Sequence, residues 1–370
     1  MRNIILILLL ISIRISSQTL DYNEYHQIIN NAEKAIFERG DIDSCLIYYE
    51  KAFDTFNEFI FPHDIINAVQ LAFFYKKPNK KYLINGFSYG IKIEHLKGIP
   101  LFEKEYIKLK NDKKLEEKYS EKRKTYLSKI NFKYLFLIYN LSIEDQLTKN
   151  KPKTEYDYIR LEQLNKIINY TKIYGFPCVK HLGVGDAEIF REIEQPEKDL
   201  KELTKKYKQK LSYFSVDENI LASKFAIIIL LHNSCTYVKL EEILLEAVKN
   251  GEIHPREVGL IYDNIYRKIF INQQKCDIPA LSNGLFVLNQ FVKYYNLGVS
   301  FDLLNYKRFI NGFDLLKYEN TNSNTNTISI EKVNDIRRKF NIASIELDLK
   351  KKTFEQKNGL KLFWGVWSCL

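Results

Sequence analysis

Glycine and proline are scarce, 14 and 8 of 370 residues. A sheet-built chain of this length needs turn residues at every reversal, so the scarcity points to helices. Long apolar runs are missing too. The greasiest internal stretch, residues 225–231 (FAIIILL), is far shorter than the roughly 18 residues of a membrane span and reads as a buried helix. The five cysteines (Cys45, Cys178, Cys235, Cys276 and Cys369) are odd in number, far apart and never in a CxxC pair. That spacing signals neither a zinc site nor a disulfide framework and leaves them as small apolar side chains; one disulfide stays open in an oxidising compartment.

Chemistry-bearing motifs are equally thin. No HExxH, GxSxG or EF-hand loop occurs. Residues 183–188 (GVGDAE) lack the third glycine, the βαβ setting and the lysine of a phosphate cradle. None of the six histidines (His26, His63, His95, His181, His232 and His254) has another three or four residues away, the spacing that puts two metal ligands on one helix face. No metal and no cofactor is expected. The formal charge is +10 and the pI about 9.0, but basic residues alternate with acidic ones and form no stripe interleaved with stacking aromatics. Nucleic acid is therefore not the expected partner. The net field leaves adhesion to an acidic surface open.

What the chain does have is 45% hydrophobic residues, including 25 Tyr and 24 Phe, enough for a large core. It opens on a leader. Arg2 supplies a positive start, residues 4–13 an apolar run of about ten, and Ile15-Ser16-Ser17 a small residue at a cleavage position. The expectation is a signal peptide over residues 1–17, cut near Ser17, with export to the periplasm or beyond. Removing it takes away Arg2 and Arg14 and no acid.

Residues 22–56 read as two short helices turning at Arg39-Gly40-Asp41. Small side chains (Ala32, Ala35, Cys45, Ala52) stand where the helices must touch, and aromatics (Tyr25, Phe37, Tyr48, Tyr49, Phe53) fill the gaps. One such hairpin cannot bury its apolar face alone, so others must stack on it. A second, weaker unit has Asp64 capping a helix that Pro78 helps to end, and a partner over residues 81–95 with Gly86 and Gly90 as small positions. The segment GDIDSCLIYYEKAF, with Gly40, Cys45, Tyr49 and Ala52, resembles the second half of a tetratricopeptide repeat. That resemblance implies stacked helical hairpins over residues 19–128 and a surface for binding a protein or peptide.

Residues 102–124 read as a solvated helix or helix pair, followed by an apolar stretch from Asn131 ending in Asp145-Gln146. A helix over residues 157–174 closes on Gly175, and Phe176-Pro177 turns the chain. Further helices are expected over 197–212, over 218–233 capped by Asp217, over 239–250 closed by Gly251, and from Pro255, with more apolar periodicity over 286–317. The D-Q dipeptide at 145–146, the aromatic-Pro turn after Gly175, the helix-borne His232 and the acidic Asp263 together resemble an uncharacterised bacterial family with no established activity. The resemblance implies a helical domain, set at 129–318, and no reaction.

NTNSNTNT (320–327) reads as a polar linker, placed at 319–328. Residues 329–370 are expected to add a short helix and a β-hairpin, the alternation over 342–367 turning at Asn358-Gly359. The fold expected is mainly α: stacked hairpins, a helical middle domain and a small C-terminal β-hairpin.

The catalytic constellation the chain can assemble is Asp145, Glu188, His232 and Asp263, an imidazole tuned by carboxylates. The structural alternative places His232 at a helix C-terminus, where its charge suits the dipole, with Asp145 bonded to local backbone or Arg160. Gly175-Phe176-Pro177 fits a rigid turn better than a substrate clamp. The favoured expectation is an exported helical scaffold that binds another protein or peptide. The competing one is an exported hydrolase-like enzyme built on His232. An exposed aromatic groove in residues 22–130 would favour the first; a pocket holding His232 within hydrogen-bond reach of Asp145, Glu188 or Asp263, with a cleft to solvent, would favour the second.

Overall fold

The computed structural model describes residues 20–148, 151–185, 189, 192, 221–223, 225–233, 236–259, 261 and 330–364. The leader, the linker tract, Asp217, Glu188, Asp263, Cys235, Cys276, Cys369, the helices expected over 197–212 and 286–317, and residues 365–370 lie outside them.

Among the described residues the chain is helical and no strand occurs. Helix α1 (Tyr22–Arg39) is capped by Asp21, whose carboxylate accepts the Asn23 amide at 2.9 Å. It ends on Gly40 at φ +70°, where the amides of Gly40 and Asp41 return to the carbonyls of Ile36 and Ala35. Only a residue tolerant of the left-handed region serves there. Asp41 then caps α2 (Ile42–Thr55) through the Ser44 amide at 3.0 Å, so one dipeptide ends a helix and starts the next. The small residues expected at the crossing are fully buried, as are Tyr25 and Tyr49, while Phe37 and Tyr48 pack partly buried at the rim.

Helix α3 (Pro62–Phe74) stacks on this hairpin, and α4 (Lys80–Phe87) stacks on α3. Gly86 permits the approach: a Cβ there would stand 3.0 Å from Ile65. The second unit departs from expectation at both ends. Pro62, not Asp64, opens α3, and the partner of α3 stops at Phe87 before two short 3₁₀ turns, Ile93–Leu96 and Pro100–Phe102. Helices α5 (Tyr106–Lys110) and α6 (Lys113–Lys129, capped by Asp112) supply the solvated pair.

The middle part is built on α7 (Phe132–Thr148) and α8 (Lys153–Tyr174), which ends at Gly175. The short α9 (Val179–Leu182) follows. Helix α10 (Phe225–His232) lies against both α7 and α8, and its residues 225–231 are all buried. It starts later than the sequence suggests, because residues 221–223 are not helical. Helix α11 (Thr236–Lys249) ends before Gly251, at φ +66°, where a Cβ would strike the Tyr22 ring at 2.5 Å. No helix among the described residues is long and apolar enough to cross a membrane.

The C-terminal expectation is overturned. After α12 (Ile330–Lys339) the chain forms no hairpin but a second helix, α13 (Ile345–Asn358), packed on α1. Ser344 caps it through the Leu347 amide at 3.3 Å, Glu346 and Asp348 sit in its first turn, Lys357 in its last, and Gly359 closes it at φ +67°. The Asn-Gly dipeptide is a helix C-terminus here, not a β-turn. The period-2 reading failed because α13 buries, beside Ile345 and Leu347, the charged Asp348, Lys351, Lys352 and Glu355, so most of its helical stripe carries no apolar signal. Residues 360–364 then run beside α3. The Gln70 side chain both accepts the Lys361 amide (2.7 Å) and donates to its carbonyl (2.6 Å), and Asn67 holds Leu362 and the Trp364 indole.

Candidate functional site

Two clusters of titratable side chains stand out. The first contains two of the four residues singled out from the sequence. Asp145 lies in the last turn of α7 and is fully buried; His232 ends α10. Helix packing across 87 positions brings His232 Nδ1 to 2.7 Å from Asp145 Oδ2. The same carboxylate oxygen accepts Gln146 Nε2 at 3.1 Å, and the Tyr156 hydroxyl stands 3.5 Å from Oδ1. Burial and then Asp145 raise the Tyr156 phenol well above its ordinary range, so it stays protonated. Arg160 donates to the His232 carbonyl, lies over the Tyr156 ring at 4.5 Å, and its own carbonyl accepts Asn233 Nδ2 at 2.9 Å. Asp145 thus bonds to His232 rather than to Arg160, and Arg160 bonds instead to the carbonyl end of α10. Glu188 and Asp263 fall outside the described residues. The Gly175 turn behaves as a rigid corner: Phe176 is buried, its amide donates to Glu252 at 2.8 Å, and Tyr134 holds the Gly175 carbonyl at 2.9 Å.

The second cluster escaped the sequence reading. Side chains from α1 (His26, Glu33), α3 (His63, Asp64), residues 254–257 (His254, Arg256, Glu257), α13 (Lys351) and the tail (Trp364) line one small cavity. The His254 ring centroid lies 5.7 Å from that of His26 and 5.1 Å from that of His63. Asp64 accepts the Tyr25 hydroxyl at 2.8 Å, and His254 Nε2 is 3.9 Å from its other oxygen. Beneath the cavity runs a ladder of ion pairs. Arg256 grips Asp348 with two nitrogens, at 2.6 and 3.1 Å, and reaches Glu33 at 3.7 Å; Arg337 pairs with Asp348, and Lys351 with Glu33.

Burial sets the protonation states. With His254 adding to it and Asp64 opposing, burial pushes His26 from 6.5 down to about 3, and His63 falls to about 3 in the same way. Burial, then Arg256 and Lys351, drive His254 well below its ordinary value. All three imidazoles are neutral near pH 7. Burial raises Glu257 to about 8, so it carries a proton there, and raises Asp64 against the opposing Tyr25 hydrogen bond. Asp348 is the exception. Burial opposes its charge, but Arg256 and Arg337 hold it below the usual carboxylate range.

Spacing along one helix could not find this site, because each histidine comes from a different segment. The available signal was polarity on a core face: His26 and Glu33 share a helical stripe with Tyr22 and Ile29. No group of three or more His, Cys, Asp or Glu side chains among the described residues stands in metal-binding geometry. Cys45 and Cys178 are buried free thiols. No family model matches the chain, and neither a curated protein nor a solved structure matches it.

Proposed function

We propose that the chain is a hydrolase-like acid–base catalyst working outside the cytosol, with His232 as the base and Asp145 as its positioning residue. The observation that carries this is the 2.7 Å contact between His232 Nδ1 and the buried Asp145 carboxylate. A carboxylate can only accept, so Nδ1 keeps the proton and Nε2 the lone pair, the tautomer a general base needs. Gln146 and Tyr156 steady the carboxylate, and Arg160 steadies the end of α10. In the reaction, Nε2 takes a proton from water as the oxygen attacks an ester carbonyl, then returns it to the leaving oxygen.

The test is turnover of p-nitrophenyl acetate and p-nitrophenyl phosphate by residues 18–370. His232→Ala should lower kcat/KM by about 10²–10⁴-fold, the usual worth of a positioned acid–base group. Asp145→Asn should lower kcat more than it changes KM. Turnover unchanged in both variants contradicts the proposal.

A second reading is a scaffold that binds another protein or peptide. Its support is a set of exposed apolar side chains on α7 and α8: Phe132, Phe136, Tyr158, Leu161 and Ile173. The aromatics of residues 22–130 give it none, since the exposed large apolar side chains there are Ile47 and Ile107. Capture of a partner from the native cell envelope should be lost in Phe136→Ser/Ile173→Ser, and retention would remove that support.

A further inference from the structure

The histidine cavity is a built site whose unpartnered buried atoms are mostly acceptors. Its amide donors are taken: Asn30 by the Asn341 carbonyl (2.8 Å), Asn67 by the Leu362 carbonyl (3.1 Å), Asn341 by Asn23 (2.7 Å), and the Trp364 indole by Asn67 (3.2 Å). The buried atoms left without a hydrogen bond are His26 Nε2, both ring nitrogens of His63, Glu33 Oε2 and Glu257 Oε1. Each neutral imidazole carries one lone pair and one N–H, so His63 leaves one donor and one acceptor unmet; the oxygens of Glu33 and Glu257 tip the set towards acceptors, which suits a ligand that donates. Leaving such groups unsatisfied in a buried site is costly.

Charge narrows the choice. Arg256, Arg337 and Lys351 are balanced by Glu33, Asp348 and Asp64, and Lys352 pairs with Glu355. The empty pocket is therefore close to neutral while Glu257 keeps its proton. Ionising Glu257 adds one negative charge, the complement of one positive charge on a ligand. Size narrows it again. The cavity volume is about 30 Å³, room for roughly two non-hydrogen atoms. Among the described residues no group of His, Cys, Asp or Glu side chains stands in metal-binding geometry.

We propose that this cavity binds a primary ammonium group, its three N–H donors shared among the imidazoles of His26 and His63 and the carboxyl groups of Asp64 and Glu257. The nitrogen and the carbon that bears it fill the space, and the tail residues Leu362 and Trp364 close over them. Glu257 loses its proton as the cation enters, so binding tightens as pH rises from 7 towards 8.

The experiment is a titration of the full chain with methylammonium chloride, read by the imidazole resonances of selectively labelled histidine. Tetramethylammonium, sodium acetate and zinc chloride serve as comparison arms. Methylammonium should shift the His26, His63 and His254 resonances saturably, with at least a tenfold loss of affinity in Glu257→Gln and a gain between pH 7 and 8. Thermal unfolding of Glu257→Gln checks that the variant is folded, and His63→Gln serves the same purpose if it is not. Tetramethylammonium, which has no N–H, and acetate should leave the rings unmoved. Saturation by zinc with no response to methylammonium makes the site a metal site and overturns the proposal. So does silence in every arm, or an equal response to tetramethylammonium.

Discussion

The hairpin α1–α2 and the C-terminal helix α13 lie against each other, yet they obey different rules of burial. The hairpin buries small and aromatic side chains, with Ala32, Ala35, Cys45, Tyr49 and Ala52 fully enclosed. Helix α13 buries a charged stripe of Asp348, Lys351, Lys352 and Glu355, held by partners more than ninety positions away for Asp348 (Arg256) and more than three hundred for Lys351 (Glu33). A face of the first kind stabilises by removal from water and announces itself in the local pattern. A face of the second kind is tolerable only when every charge meets its counter-charge, so its logic lives in the tertiary structure.

That comparison is sharpest at Asp348. Asp348→Ala leaves Arg256 and Arg337 buried beside each other without their shared carboxylate. The expected loss is about 3–5 kcal/mol, read as a lower urea midpoint at unchanged slope. A loss below about 1 kcal/mol would mean that α13 is not enclosed as described.

Next in size is the response to pH. His26, His63 and His254 have folded pKa values below their unfolded ones, so the unfolded chain binds more protons and stability falls as pH drops through 6.5 towards 3. Glu257 acts in the opposite sense. Its folded value is raised, so stability falls as pH rises from the ordinary carboxylate range to about 8. Stability should therefore peak near pH 6.5. Each pH unit below it costs up to about 1.4 kcal/mol per buried imidazole, less the same from Glu257. Thermal unfolding across pH 4.5–8.5 checks this, and a flat profile would contradict it.

The apolar half of the comparison is broken by crowding. Ala35→Leu puts three extra carbons into a closed crossing, with an expected loss of about 1–3 kcal/mol in the same urea assay. The smallest effect is at a cap: Ser344→Ala removes the acceptor of the Leu347 amide and should cost about 1 kcal/mol. Exposed pairs such as Lys118–Glu121 should give nothing measurable by either method.

Legibility followed the same division. The α1–α2 turn, the crossing residues, the Gly175 and Gly251 helix ends and the buried helix at 225–231 could be read because apolar period and capping chemistry are local. Helix α13 could not, because its alternating Ile345, Leu347 and Leu349 mimic a strand while most of its buried face beyond the first turn is charged. At the first site, Asp145 and His232 were legible as a pair of residue types, and the structure supplied the packing that joins them. The second site was opaque. His26, His63 and His254 become a cluster only when α1, α3 and the segment after α11 converge. Asp64, read as a helix cap, faces Tyr25 instead because α3 begins at Pro62.

The central claim is that α1, α3, the segment after α11 and the tail bury three imidazoles too deeply to charge them. A histidine-selective NMR titration of the intact protein tests it directly. The account predicts that the His26, His63 and His254 rings stay neutral from pH 8 down to the onset of acid unfolding. Reversible titration of these rings near 6.5 in the folded protein would contradict it.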